Sequence, residues 1–168
     1  MRPVYSSTCA LASIVTLALF LVAASVTPAR ADITAFLGLT PTPDNHAVRG
    51  FSAGLGLLIV AFEFEYANIS EDDFEQLPGL KTYSGNVLIQ TPIDIVGTQF
   101  YGTAGAGGYQ ERLGVLDETH ASTNFGGGAK IKLLGPVRVR LDYRIFKLQG
   151  SPIHDVYQRF YVGANLKF

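Results

Sequence analysis

Ionisable side chains in this chain recur at alternate positions within short stretches that are otherwise apolar. Glu63 and Glu65 stand on either side of one phenylalanine, and from Arg138 onward charged residues alternate with apolar ones. Alternate residues of a β-strand point to the same face, so each stretch would gather its charges on one side. Facing stretches of opposite charge would then form ion pairs. The predicted charge network comprises Glu63, Glu65, Lys130, Lys132, Arg138, Arg140, Asp142, Arg144, Arg159 and Lys167.

Two other groups of residues could carry chemistry, and the sequence favours neither. The carboxylates between Glu71 and Glu75 could bind a divalent cation, but their spacing does not match a defined calcium-binding loop. Ser151, His154 and Asp155 have the residue types of a hydrolase triad, although nearness in sequence does not set triad geometry. We interpret both groups as polar loops, and we predict no catalytic residue, no metal site and no cofactor.

Eight segments must position the charges, and they alternate apolar and polar residues with a period of two, except that the fifth is glycine-rich and its facing stays open. They are predicted at residues 33–40, 50–57, 60–66, 83–90, 98–109, 124–133, 137–146 and 159–168. Between the second and third segments the apolar positions change from odd at Leu57 to even at Val60. One strand cannot change its apolar face in this way, so we predict a turn at Leu58 and Ile59.

Short and long connections are predicted to alternate along the chain. The connections after the first, third and fifth strands span residues 41–49, 69–82 and 110–123, whereas those after the second, fourth and sixth strands are short. Short turns at one rim and longer loops at the other are typical of membrane barrels. An even number of strands places both termini on the short-turn, periplasmic side.

The apolar faces of the eight segments carry no charge, which indicates that they face lipid rather than the centre of a soluble barrel. A Lys or Arg on the lipid face at mid-membrane costs about 2–4 kcal/mol. In hydrocarbon every backbone N–H and C=O needs an internal partner, so strands span a membrane only as a closed barrel. We therefore predict an all-β fold, an eight-stranded antiparallel up-and-down transmembrane β-barrel with a polar, charged interior.

The third and seventh strands lie opposite each other in a ring of eight strands, which predicts the partners within the charge network. Depth counted from the short turns puts Glu63 and Glu65 near Arg140 and Lys130. A barrel of this size is just wide enough for side chains to fill it, so the network would hold the barrel together and block flow. The alternative is a narrow or gated pore lined by the excess of basic residues.

The first 31 residues have the plan of a secretory signal peptide. The apolar run from Leu11 to Val26 follows a sparse positive start and is shorter than the roughly 20 residues of a spanning helix. Ala29 and Ala31 put small residues at the positions that a signal peptidase inspects, so we predict cleavage after Ala31. The predicted organisation is a signal peptide at residues 1–31 and a barrel domain at residues 32–168.

The composition of the mature chain excludes several classes of protein. Cys9 is the only cysteine and lies in the leader, so cleavage would leave no thiol for a disulfide, a zinc cluster or a nucleophile. Loss of Arg2 and Arg30 leaves 11 basic residues against 14 acidic ones. This balance gives no basic surface of the kind that nucleic-acid-binding proteins use.

The C-terminal run from Gln158 to Phe168, together with the leader and the alternating strands, resembles the outer membrane protein beta-barrel family, the group similar to the membrane domain of outer membrane protein A. The resemblance implies a terminal aromatic residue, preceded by alternating apolar residues, that acts as the signal read by the barrel assembly machinery. The matching residues are Phe160, Val162, Ala164, Leu166 and Phe168. Because the chain stops at Phe168, we do not expect the peptidoglycan-binding domain that follows some such barrels.

These features predict an exported, integral protein of a bacterial outer membrane. We expect it to be non-enzymatic, with an envelope-structural, surface-binding or minor solute-passage role. The expected partners are outer-membrane lipids and lipopolysaccharide, the barrel assembly machinery and periplasmic chaperones. We expect a monomer and no binding to nucleic acid. Two alternatives stay open: a lipid-modifying enzyme on the same barrel, and a soluble periplasmic barrel that carries an apolar ligand.

Overall fold

The computed structural model describes residues 29–42, 45–69, 79–113, 116–150, 152 and 154–168, without the side chains of residues 42 and 111–118. Eight β-strands account for nearly all of them. They are β1 (Arg30–Thr42), β2 (His46–Leu57), β3 (Val60–Ile69), β4 (Gly79–Gln90), β5 (Thr98–Leu113), β6 (Leu116–Leu134), β7 (Val137–Leu148) and β8 (Val156–Lys167). Among the described residues no helix is long and apolar enough to cross a membrane.

The eight strands form a closed barrel in which each strand pairs with the next one along the chain. All pairs are antiparallel, and β1 closes the ring by pairing with β8 from Asp32 opposite Lys167 to Thr42 opposite Gln158. The predicted eight-stranded antiparallel up-and-down fold is therefore confirmed. Closure leaves the sheet without a free edge, so the backbone groups of every strand can be paired inside the barrel.

Large apolar side chains cover the outer surface of the barrel. Leu37 on β1 is 70% exposed and Phe62 on β3 is 57% exposed, whereas their neighbours in the alternation, such as Phe36 and Glu63, point inward and are buried. On β7, for example, Arg138, Arg140 and Asp142 are buried. The arrangement is the inverse of a soluble barrel, and it follows from the period of two in each strand.

The turns between strands differ in length and in backbone conformation. The predicted turn at Leu58 and Ile59 is confirmed: Leu57 pairs directly with Val60, and Leu58 adopts a positive φ of 41°. The turn before β5 contains Val96 and Gly97, both with positive φ, inside an isolated bridge between residues 95 and 98. Two consecutive residues with positive φ let a tight hairpin follow the twist of its strands.

Several strands are longer than the alternation predicts. The structure begins β2 at His46, four residues before the predicted start, and continues β5 to Leu113 and β6 from Leu116. The predicted long connections at residues 41–49 and 110–123 were therefore wrong, because hydrogen-bonded pairing continues past the point where the alternation ends. Of the third predicted long connection, residues 70–78 lie outside the described part of the chain.

The predicted signal-peptide boundary falls inside β1. Arg30 pairs with Gly56, and the carbonyl oxygen of Ala31 accepts a hydrogen bond of 2.8 Å from the backbone N–H of Phe168. Ala29 precedes the strand and is exposed. Residues 1–28 lie outside the described part of the chain, so cleavage after Ala31 stays a prediction.

Candidate functional site

The centre of the barrel holds three carboxylates and three guanidinium groups, which we name the central cluster. They come from three strands: β3 supplies the glutamates, β7 supplies an aspartate and two arginines, and β8 supplies one arginine. All six side chains are buried, and Arg140 and Arg144 have no exposed surface. The cluster consists of Glu63, Glu65, Arg140, Asp142, Arg144 and Arg159.

Glu63 joins β3 to β7 across the lumen. Arg140 makes a bidentate contact with its carboxylate, through a close ion pair to Oε2 and a 3.2 Å hydrogen bond from Nη2 to Oε1. Arg144 donates a further hydrogen bond of 2.8 Å to Oε1. Ser52 on β2 adds its hydroxyl at 3.1 Å. Bidentate pairing of arginine with carboxylate is among the stronger polar contacts in proteins, so Glu63 fixes the positions of both arginines.

Asp142 stands between the two arginines on the same face of β7. Arg140 Nη2 donates to Oδ2 at 3.0 Å, and Arg144 Nε donates to Oδ1 at 2.9 Å. Tyr101 from β5 donates its hydroxyl hydrogen to Asp142 and accepts a 2.7 Å hydrogen bond from Arg140 Nε. The Arg140 guanidinium also lies 4.8 Å from the centre of the Tyr101 ring, a cation–π distance.

Glu65 holds the end of the cluster that is nearer the β1–β2 and β3–β4 connections. It forms a close ion pair with Arg159, lies 3.2 Å from Arg144 Nη1, and accepts a 3.3 Å hydrogen bond from the Tyr161 hydroxyl. The Arg159 guanidinium lies 4.3 Å from the centre of the Phe146 ring. Each charged group of the central cluster thus has an opposite charge within 3.2 Å, and the two signs balance.

Above the central cluster the interior becomes apolar and aromatic. Phe36 and Tyr161 stack with ring centres 4.0 Å apart, and both are buried. They belong to a buried apolar group that reaches the rim where β3 and β7 end. The group consists of Phe36, Val48, Ala67, Ile69, Leu80, Tyr109, Phe146, Leu148, Tyr157 and Tyr161. The predicted polar, charged interior is therefore found at the centre of the barrel, whereas the interior above it is apolar. The signal was present, because Phe36, Phe146 and Tyr161 occupy inward positions of the alternation.

The other residues of the predicted network lie nearer the short turns and outside the central cluster. Lys130 does not contact the glutamates; it forms a close ion pair with Asp32 of β1, which the sequence analysis missed. Asp32 lies two residues before Thr34, which faces inward, so the alternation could have predicted that Asp32 also faces the lumen. Arg138 donates a 3.0 Å hydrogen bond to Gln99.

Lys132 and Lys167 lie at the mouth of the barrel on the short-turn side. Lys132 is exposed and Lys167 is half-buried. Within the part of the chain that the structure describes, neither side chain forms an ion pair. The predicted network thus divides into a paired centre and a basic mouth.

The structure leaves the two weaker candidate groups without a described site. The acidic stretch between Glu71 and Glu75 lies outside the described residues, and so does Ser151. The ring of His154 lies 6.4 Å from the ring of Tyr157 in an edge-on arrangement. Across the described ranges, no group of three or more His, Cys, Asp or Glu side chains could hold a metal ion.

The five residues of the predicted C-terminal assembly signal share the outer face of the barrel end. Each of them is exposed. They are Phe160, Val162, Ala164, Leu166 and Phe168. A partner that approaches from the lipid side would therefore meet the apolar face of β8.

No protein-family profile and no curated protein sequence matches the chain. Solved structures do match it. The N-terminal β-barrel domain of Pseudomonas aeruginosa OprF has a TM-score of 0.64 at 16% identity, over 83% of this chain and 97% of that one. Neisserial surface protein A (NspA) gives 0.57 at 13% identity, over 83% of this chain and 94% of that one.

The Yersinia pestis outer membrane protein Ail in a phospholipid bilayer nanodisc gives a TM-score of 0.53 at 15% identity, over 83% of this chain and 99% of that one. At identities of 13–16% these similarities show the fold alone. The chain has the fold of the eight-stranded outer-membrane β-barrels, as the resemblance in its sequence predicted.

Proposed function

We propose that the chain is an integral protein of a bacterial outer membrane, exported through a cleaved signal peptide, with a non-enzymatic role in envelope structure or surface binding. One observation carries the proposal: large apolar side chains cover the outside of the barrel while six paired charges fill its centre. Burial of apolar area is worth roughly 25 cal/mol per Å². In water the apolar outer surface would stay exposed, whereas in a bilayer it is buried against lipid and this free energy stabilises the protein.

The central cluster supports a structural role over solute passage. Side chains from opposite walls meet in the lumen, and the residues that meet there are fully buried. A steady path for ions would require Glu63 and Arg140 to separate, which breaks the bidentate ion pair across the lumen and leaves each charge with a single buried partner, Arg144 for Glu63 and Asp142 for Arg140. A minor solute-passage role stays a weaker form of the proposal.

The outer face of β8 and the rims of the barrel support the proposed partners. We propose that the barrel assembly machinery binds the apolar face that ends at Phe168, and that periplasmic chaperones keep the apolar faces apart before insertion. Outer-membrane lipids and lipopolysaccharide would surround the finished barrel, which we expect to be monomeric because closure leaves no strand edge to pair with a second copy.

Cell fractionation combined with a heat-shift gel tests the membrane assignment. The folded protein is expected in the outer-membrane fraction and is expected to migrate differently before and after boiling. A protein that stays monomeric and folded in buffer without detergent would instead be the soluble ligand carrier, and the proposal would fail.

A pair of substitutions on β3 sharpens the same test. Phe64 lies on the outer face at mid-strand, and Asn68 lies on the outer face near the end of the strand. An arginine at mid-membrane costs about 2–4 kcal/mol and one near the interface about 0–1 kcal/mol. Phe64→Arg is therefore expected to reduce refolding into lipid vesicles strongly, and Asn68→Arg to leave it nearly unchanged. Equal refolding of both variants would argue against lipid on this face.

Lipid A mass spectrometry tests the non-enzymatic part of the proposal. Cells with and without the gene are expected to give the same lipid A species. A mass change that depends on the gene would favour the lipid-modifying enzyme on the same barrel.

A further inference from the structure

A cavity of about 300 Å³ opens at the short-turn end of the barrel, below the central cluster. Its inner end is formed by Glu63, so the cavity stops at the central cluster. Its two walls differ in chemistry. Lys130, Arg138 and Lys167 supply a basic wall from β6, β7 and β8, whereas β2, β3 and β4 supply mostly small and apolar residues. The lining also includes Arg30, Asp32 and Asp94, so its basic residues outnumber the carboxylates by one. We name this space the vestibule.

The basic wall contains like charges directly opposite one another. In the ladder between β6 and β7, Lys130 pairs with Arg140 and Lys132 pairs with Arg138. Like charges at directly opposed positions of a sheet destabilise it unless something neutralises them. For the inner pair, the neutralising groups are present: Asp32 contacts Lys130, and Glu63 contacts Arg140.

The outer pair is neutralised more weakly. The carboxylate that approaches Arg138 belongs to Asp94, at 4.0 Å, and 38% of that side chain is exposed. Arg138 itself is buried, with a hydrogen bond to the neutral amide of Gln99. A buried guanidinium whose carboxylate partner is distant and exposed retains donors that a ligand can use, because guanidinium carries five N–H donors.

Lys167 brings a further positive charge to the same wall. Its backbone N–H donates a 3.0 Å hydrogen bond to the carbonyl of Pro136, which ties the end of β8 to the turn between β6 and β7. Its side chain lines the vestibule together with Arg138. Among the described residues no carboxylate forms an ion pair with Lys167.

Glycines keep the opposite wall open. A Cβ atom on Gly56 would lie 3.3 Å from the Gln90 amide nitrogen and 3.6 Å from the Ala61 side chain. A larger side chain at this position would therefore extend into the vestibule. Ala61 and Leu88 are buried beside it and give this wall an apolar surface.

We propose that the vestibule binds a small organic anion, with its phosphate or carboxylate group between Arg138 and Lys167 and its apolar part against Gly56, Ala61 and Leu88. The arginine fork matches either oxyanion in a bidentate manner. The volume lies at the lower end of the range for small-molecule sites. The inference rests on the proposed function for one point only: the short-turn rim then faces the periplasm, and the ligand enters and leaves from that side.

Calorimetry on the full chain folded in detergent tests the site, with butyl phosphate, butyrate and inorganic phosphate as probes. Butyl phosphate and butyrate are expected to bind saturably, and inorganic phosphate about tenfold more weakly than butyl phosphate because it lacks the apolar part. Which of the two butyl probes binds more tightly identifies the oxyanion class. If neither butyl probe binds in the millimolar range, the inference is overturned.

Three variants and one matched control locate the site. Arg138→Gln and Lys167→Gln are each expected to weaken butyl phosphate binding about tenfold, the effect of losing one charge-assisted hydrogen bond. Gly56→Leu leaves the charges in place and is expected to abolish binding by filling the vestibule. Lys147→Gln, on the outer face near the opposite end of β7, is the control and is expected to bind as the unaltered protein does. Variants that all bind equally would overturn the inference.

A heat-shift gel run on each sample separates the two proposals. A chain that shows the heat shift but binds no probe overturns the vestibule and leaves the membrane barrel intact. A chain that is folded in buffer without detergent and still binds butyl phosphate through Arg138 overturns the membrane assignment and leaves the site intact.

Discussion

The central cluster and the basic mouth of the barrel both take cations from β7 and β8, yet their charges are arranged in opposite ways. In the centre, the carboxylates of β3 face the arginines of β7 and β8, and every charge has a partner. At the mouth, the positions of β2 and β3 that face the basic wall are filled by Gly56 and Ala61. Depth in the barrel, and not the alternation within a strand, therefore decides whether an inward charge is fully paired or only weakly neutralised.

The largest effect is expected when the central cluster loses Arg140. Arg140→Gln removes one of the two arginine partners of both Glu63 and Asp142, and it leaves the buried cluster with three carboxylates against two guanidinium groups. Removal of one member of a buried ion pair costs about 3–5 kcal/mol, because the remaining charge stays buried. Urea unfolding in lipid vesicles measures the loss, and single-channel recording measures any opening of the lumen. Unchanged stability together with unchanged conductance would remove the distinction between centre and mouth.

A smaller loss is expected for Glu65→Gln. Arg144 keeps Glu63 and Asp142 as partners, and Arg159 keeps its contact with the Phe146 ring. The cost of losing charged hydrogen bonds here is about 2–3 kcal/mol in the free energy of unfolding. The same urea series provides the measurement. A loss as large as that of Arg140→Gln would show that the contribution of the cluster residues to stability does not decrease from its centre outward.

A still smaller effect is expected for Asp32→Asn, because Asp32 lies between the central cluster and the basic mouth. Asp32 is partly exposed and holds Lys130 alone. Loss of the carboxylate leaves the Lys130 ammonium buried, but solvent reaches the partly exposed side of the pair, so the expected cost is about 1–2 kcal/mol. The measured loss in the free energy of unfolding should lie between that of Glu65→Gln and that of any variant at the mouth. A larger loss would show that the structural charge network extends toward the short turns.

The smallest effect on stability is expected for Arg138→Gln at the mouth. The substitution loses a hydrogen bond to Gln99 and removes the repulsion across the ladder from Lys132. These contributions oppose each other, so the free energy of unfolding is expected to change by less than about 1 kcal/mol. A loss of several kcal/mol would show that Arg138 belongs to the structural cluster after all, and the comparison would fail.

The fold follows from the sequence because one local rule repeats eight times. Apolar and polar residues alternate wherever a strand has lipid on one side and the lumen on the other, so strand positions, facing and the turn at Leu58 could be read from the pattern. Where both faces of a strand are polar, as around Thr119 and Thr123, the alternation disappears and the strand does not. The ends of β5 and β6 therefore escaped prediction.

Individual partners in the lumen were harder to predict than the strands. Contacts across the lumen depend on the relative height of side chains on strands that are far apart in sequence, and the stagger between neighbouring strands accumulates around the ring. Glu63 and Arg140 could be matched because each lies three residues from the start of its strand at the same rim of the barrel. The pairing of Lys130 with Asp32 could not, because it depends on how β1 meets the rest of the barrel at closure.

The like-charged ladder between β6 and β7 has a consequence for the order of assembly. A hairpin made of these two strands alone sets Lys130 against Arg140 and Lys132 against Arg138, so it repels itself. The acids that relieve the inner repulsion, Asp32 and Glu63, come from the N-terminal half of the chain. Asp142 offsets part of the repulsion within the β6–β7 hairpin, and the rest is relieved when the first strands pair, so we expect ring closure and charge neutralisation to occur together.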